Sequence, residues 1–85
     1  MAILMRVNGS AEVVTPKNGT DFSLEELQGF VGGYIQVIKL EDEKWLIVDD
    51  DGRLKNKPVN DRASEVYGFD FIVGDAVLCE RKEVQ

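Results

Sequence analysis

The 85 residues contain no histidine and one cysteine, Cys79. Without histidine, Ser-His-Asp and Cys-His nucleophile arrangements are excluded, and with them most zinc sites. A lone cysteine makes neither an intrachain disulfide nor a CxxC pair. Secreted domains this small usually carry several disulfides, so the cysteine usage indicates a reducing compartment. Long apolar runs are missing too: none approaches the roughly 20 residues that span a bilayer. Residues 1–7 form too short an apolar stretch for a signal peptide, with no small-residue cleavage site behind it. A cytoplasmic protein without membrane association is expected.

Basic residues are scarce, ten against sixteen acids, for a formal net charge of −6. Nine of the acids fall between Asp21 and Asp51, against only Lys39 and Lys44. Such a surface repels phosphate backbones, which disfavours direct nucleic-acid binding. The same stretch could instead imitate a phosphate array if its carboxylates line one face. From Arg53 to Arg62 the balance reverses, with Arg53, Lys55, Lys57 and Arg62 against Asp61.

What is present is ordinary globular composition, 44% hydrophobic and 31% charged, at the length of one domain, residues 1–85. Residues 2–7 and 11–15 read as two strands around the turn Asn8-Gly9-Ser10. Ser23 with Glu26 three residues on makes a capping box, and Phe22 can staple onto Leu27. Leu24, Leu27, Phe30 and Val31 then recur at helical spacing up to Gly32-Gly33, which stop the helix. Residues 34–40 and 44–49 are strands joined by Glu41-Asp42-Glu43, and Leu54 begins a possible short return strand limited by Pro58. Asn60 can cap a second short helix ending at Gly68, and residues 71–78 read as the last strand, broken at Gly74-Asp75. Residues 80–85 are a charged tail expected to fray. The fold class is α+β, in the order β-β-α-β-β-(β)-α-β. A mostly antiparallel sheet of about five strands carries two short helices on one face.

Few residue patterns carry chemistry. Asp49, Asp50 and Asp51 before Gly52 fail the calcium-loop pattern, with Ile47 where a ligand should precede and Pro58 where a glutamate should follow. No metal and no cofactor is expected. Gly32-Gly33 follow a helix, whereas a phosphate loop precedes one. Lys55, Asn60 and Arg62, around the start of the second helix, form the candidate site for an anionic ligand. Trp45, together with Asp49, Asp50 and Asp51, forms the candidate partner-binding set: an exposed tryptophan would be an anchor, although in so small a chain Trp45, Tyr34 and Phe30 are expected to be core. Cys79, within a strand pattern, reads as a buried apolar residue.

Several segments in order resemble an uncharacterised family of short proteins common in phages, prophages and conjugative elements. These are Leu24-Glu25-Glu26-Leu27 and Val31-Gly32-Gly33-Tyr34-Ile35, then the acidic turn Asp49 to Gly52. Lys57-Pro58-Val59-Asn60 with Ala63, and Ile72-Val73-Gly74-Asp75-Ala76-Val77, complete the pattern. The resemblance covers about residues 22–78, with the first 20 matching only as a generic hairpin. It implies a mobile-element origin and an intracellular setting in a bacterial host cell, and no reaction or catalytic residue. The expected function is noncatalytic: an accessory protein that binds a protein partner through its charged surface. The alternatives are a small anionic-ligand or nucleotide binder and an acidic DNA mimic. A homodimer through an edge strand, in the first hairpin or the last strand, is compatible with so thin a core.

Overall fold

The computed structural model describes residues 1–85. Two hairpins arise from local turn chemistry. β1 (Ala2–Met5) pairs with β2 (Ala11–Val14), and β3 (Ile35–Lys39) pairs with β4 (Lys44–Asp49), both antiparallel. The β3–β4 turn places Asp42 and Glu43 at φ of 58° and 59°, the left-handed pair that matches the twist of the flanking strands. α1 (Leu24–Val31) starts at Ser23 with both bonds of the capping box formed, and α2 (Asp61–Tyr67) starts at Asn60. β5 (Ala76–Glu80) inserts between the hairpins, giving the order β2-β1-β5-β4-β3. The last strand is therefore central, and the edges are β2 and β3.

Side chains alternate across a strand, so each strand of the central three feeds two cores. Ala2, Leu4, Ile47, Val77 and Cys79 pack against Phe22, Leu27 and Val31 beneath α1. Met5, Leu46, Val48 and Ala76 point to the other face and meet Ala63 of α2 and Ile72. The class, the sheet and the element order follow the sequence expectation, but the helices lie on opposite faces instead of one. Both faces of these central strands are apolar, and a sheet apolar on both sides needs a cover on each. α2 is only seven residues long, so its cover is partial.

Three local expectations change. Residues 51–56 form consecutive turns with no return strand, and Asn56 adopts φ of 56°. Between residues 71 and 75 only Val73 makes a bridge, to Val59, and the strand begins at Ala76. The C-terminal segment does not fray. Arg81–Glu83 forms a 3₁₀ turn, Phe22 donates its N–H to the Glu83 carbonyl at 2.6 Å, and Val84 bridges Phe22. Glu83 is itself buried and takes the Met1 ammonium at 3.2 Å and the Glu80 N–H at 2.9 Å. A charged composition hid this, because the partners lie at the far end of the chain.

Gly32 ends α1 at φ of 82°, and a Cβ there would stand 3.1 Å from the Lys57 Nζ. Replacing Gly32 with valine therefore imposes left-handed strain on a β-branched residue and pushes a lysine aside. The expected loss is about 1–2 kcal/mol of stability. Thermal denaturation measures it, and an unchanged melting temperature would contradict the assigned cap.

Candidate functional site

Several of the residues singled out in the sequence meet at one end of the sheet. Asp49 is the last residue of β4, and its side chain is fully buried. Its carboxylate takes the Lys57 Nζ at 2.5 Å, the Lys55 Nζ at 3.0 Å and the Asp51 N–H at 2.9 Å. The lysines reach it because the consecutive turns after Gly52 fold the chain back over the strand end. Both also reach the C-terminus of α1, Lys57 donating to the Val31 carbonyl at 2.7 Å and Lys55 to the Gly32 carbonyl at 3.2 Å. Cations belong there, where unpaired helix carbonyls concentrate partial negative charge. Burial raises the Asp49 pKa, but the two ammonium groups and the Asp51 N–H outweigh it and hold the carboxyl at about 2.

The glycines make room for this clasp. A Cβ on Gly33 would collide with the Lys55 Nζ and stand 3.0 Å from the Asp49 carboxylate. One on Gly74 would come within 2.8 Å of the Lys57 stem, and Gly74 has φ of 78° besides. A Cβ on Gly52 would stand 2.9 Å from the Val73 side chain. The paired glycines, the acidic turn, the lysines and the Gly74 bend are therefore parts of one packed junction. Its carboxylate is ionised and fully engaged by cations, so it has neither the pKa nor the free lone pairs of a general base near neutrality.

The three residues read as an anion site do not converge. Lys55 is in the clasp. Asn60 is buried, donating from Nδ2 to the Met5 and Gly74 carbonyls, each at 2.9 Å, and accepting the Ala63 N–H at 3.1 Å. Arg62 points elsewhere, donating to the Gly9 carbonyl at 3.2 Å and tying α2 to the first hairpin. The candidate partner set also divides. Trp45 is half-buried against the α1-side core with the Lys39 ammonium 5.7 Å from its ring centre, Asp50 is exposed, and Asp49 faces inward. Of the three aromatics expected in the core, Phe30 and Trp45 pack against it, and Tyr34 is 72% exposed. Cys79 is buried, and burial, with the nearby Glu83 carboxylate, pushes its thiol up to about 11, so the thiolate is disfavoured.

A different surface stands out on the α2 side. Leu54, Phe69 and Phe71 are 84%, 86% and 63% exposed, although each is large and apolar. Leu54 and Phe71 stand on the walls of a groove of about 260 Å³ whose floor includes Ile38 and Val48. An Arg53–Asp70 ion pair at 3.2 Å and an Arg53 bond to the Phe71 carbonyl at 2.7 Å brace the groove. Phe69 extends the patch beyond Tyr67, against which it packs edge-to-face at 5.5 Å between ring centres. The sequence carries one signal for it, two phenylalanines around Asp70 directly after the left-handed Gly68. Reading residues 71–78 as a strand concealed that signal, since it implied that Phe71 would be paired and covered.

With this geometry established, comparison with known families is decisive on kinship. The family model for a domain of unknown function (DUF3846) matches residues 1–84. The chain belongs to that family. The match takes in the first hairpin and the docked C-terminal turn as well as the middle of the chain, so the DUF3846 domain is the whole two-cored sheet. No curated protein and no solved structure matches the chain. No helix is long and apolar enough to cross a membrane.

Proposed function

We propose that this DUF3846 domain is a noncatalytic module that binds a protein partner, with the α2-side apolar patch as its docking face. The observation that carries the reading is the exposure of Leu54, Phe69 and Phe71 together at one corner of an 85-residue chain. Burying a large apolar side chain is worth about 1.5–3 kcal/mol, and folding leaves that gain unused at three neighbouring positions. Contiguous exposed apolar surface of this kind marks interaction sites, and rigid aromatic side chains are favoured anchors. The groups that could do chemistry support a noncatalytic role: the one thiol is buried and protonated, and Asp49 is locked by lysines. An accessory role in a mobile element, the setting implied by the family resemblance, fits a small domain whose chief asset is a surface.

The test is a comparison of wild type with the double variant Phe69→Ser/Phe71→Ser as baits in quantitative affinity capture. Both side chains are mostly in water, so the melting temperature is expected to stay within about 2–4 °C of wild type, on the scale of about 0.5 kcal/mol for surface changes. A partner retained by wild type is expected to fall at least about tenfold with the variant, the loss of one anchoring contact worth about 1.4 kcal/mol. Equal capture by both proteins would remove the patch from the function.

A further inference from the structure

The apolar patch has an acidic wall, and that wall specifies the occupant. Next to the groove lies a shallow cleft of about 560 Å³ that includes Phe69 and Phe71 together with Asp61, Glu65 and Asp70, and no basic residue lines it. Asp61 and Glu65 stand one helical turn apart on α2, a like-charge spacing that destabilises a helix when no cation intervenes. Of the three carboxylates only Asp70 has a cation beside it, Arg53 at 3.2 Å. Phe69 lies just past the Gly68 cap of α2 and borders the same cleft as Glu65. We infer that the cleft seats an arginine-bearing segment of a protein partner, the guanidinium lying on Phe69 or Phe71 and paired with Asp61 and Glu65, with an apolar neighbour filling the adjoining groove.

The chemistry selects among occupants. A guanidinium is planar, weakly hydrated and bidentate, so it can stack on a phenyl ring and meet a carboxylate at once, which a phosphate or an acidic peptide cannot do. A second copy of this chain brings a net charge of −6 to a negative wall, an arrangement that repels. The inference rests on the protein-binding reading above and adds to it the class of segment.

The experiment is selection from a random twelve-residue peptide library on the full chain, with counter-selection on the Phe69→Ser/Phe71→Ser variant. Retained peptides are expected to carry at least one arginine beside an aliphatic or aromatic residue and to be net positive. A synthetic peptide from that set is expected to shift amide resonances of residues 61–71 and to bind about tenfold more weakly to Asp61→Asn/Glu65→Gln, a change equivalent to one good charged contact. Neutralising the exposed Glu25 on α1, across the sheet from the cleft, is expected to leave binding within about twofold, since exposed charges separated by the body of the protein are largely screened. Patch-dependent peptides that are neutral or acidic would overturn the arginine assignment and leave protein docking standing. Failure to recover any patch-dependent peptide would overturn both. A wild-type dimer in light scattering that Phe69→Ser dissolves would overturn the inference in favour of self-association.

Discussion

Asn60→Asp is expected to lower the melting temperature by roughly 12–24 °C, corresponding to about 3 kcal/mol in a domain of this size. The substitution is isosteric and keeps the acceptor that caps α2. It replaces the two N–H donors, which now reach the Met5 and Gly74 carbonyls at 2.9 Å, with an oxygen facing carbonyl oxygens. Two buried acceptors lose their partners and a charge enters a site that is 1% exposed. Each unsatisfied buried group costs about 1–3 kcal/mol, and an unpaired buried charge more. Burial without a cation raises the pKa of the introduced carboxyl above its ordinary value, so it protonates and can donate one bond as the pH falls from 7, and the deficit is expected to be smallest below about pH 4. Circular dichroism melts at pH 7 and pH 3.5 measure both effects. An Asn60 kept for a ligand would give a different result, with the melting temperature unchanged and only binding lost. Arg62→Ala, which removes one exposed bond to the Gly9 carbonyl, serves as the neighbouring control, with an expected cost within about 0.5 kcal/mol.

Asp49→Asn is expected to cost about 2 kcal/mol at pH 7. That is below the usual range for breaking a buried pair, because the side chains of Lys55 and Lys57 are 41% and 23% exposed and their ammonium groups can turn to water. Its signature is in the pH dependence. The Asp49 carboxyl titrates near 2 in the folded chain against an ordinary value of 3.8, so the folded state favours the ionised form. The associated stability is fully present above about pH 4. It is lost as the pH falls through the folded value near 2, where the unfolded chain has already bound its proton. After allowance for screening through the half-exposed lysines, the loss across that window is about 1–2 kcal/mol. Denaturant titrations at pH 5 and pH 2.5 are expected to show a smaller drop for Asp49→Asn than for wild type. Equal drops in the two proteins would mean that the lysines do not hold the carboxylate in solution.

The sequence revealed what depends on neighbours in the chain. The capping box of Ser23 and Glu26, the left-handed stops at Gly32 and Gly68, and the hairpin around Asp42 and Glu43 all form within a few residues, and all were readable in advance. Contacts between distant segments were not. Asn60 was visible as a cap, but its donors reach Met5, 55 residues away, and no local pattern announces that. Lys55 and Lys57 were visible as cations, and their placement on Asp49 and the α1 carbonyls required the turns over 51–56 to be known. The division of the helices between two faces follows from strand parity and from the central position of β5, a pairing choice that composition does not encode. The exposure of Phe69 and Phe71 runs against hydrophobicity, which alone predicts burial, and both lie in the irregular segment between α2 and β5.

The position of β5 has a consequence for how the molecule is made. The two hairpins share no pairing with each other, and each is stitched to the sheet only through the fifth strand in chain order. Until that strand is available, β1–β2 is an isolated ribbon, marginal in water at best, and β3–β4 has chiefly α1 packed against it. A nascent chain halted before Ala76 would therefore lack the one strand that joins its two halves, and a protease that removed this segment would cut the sheet in two.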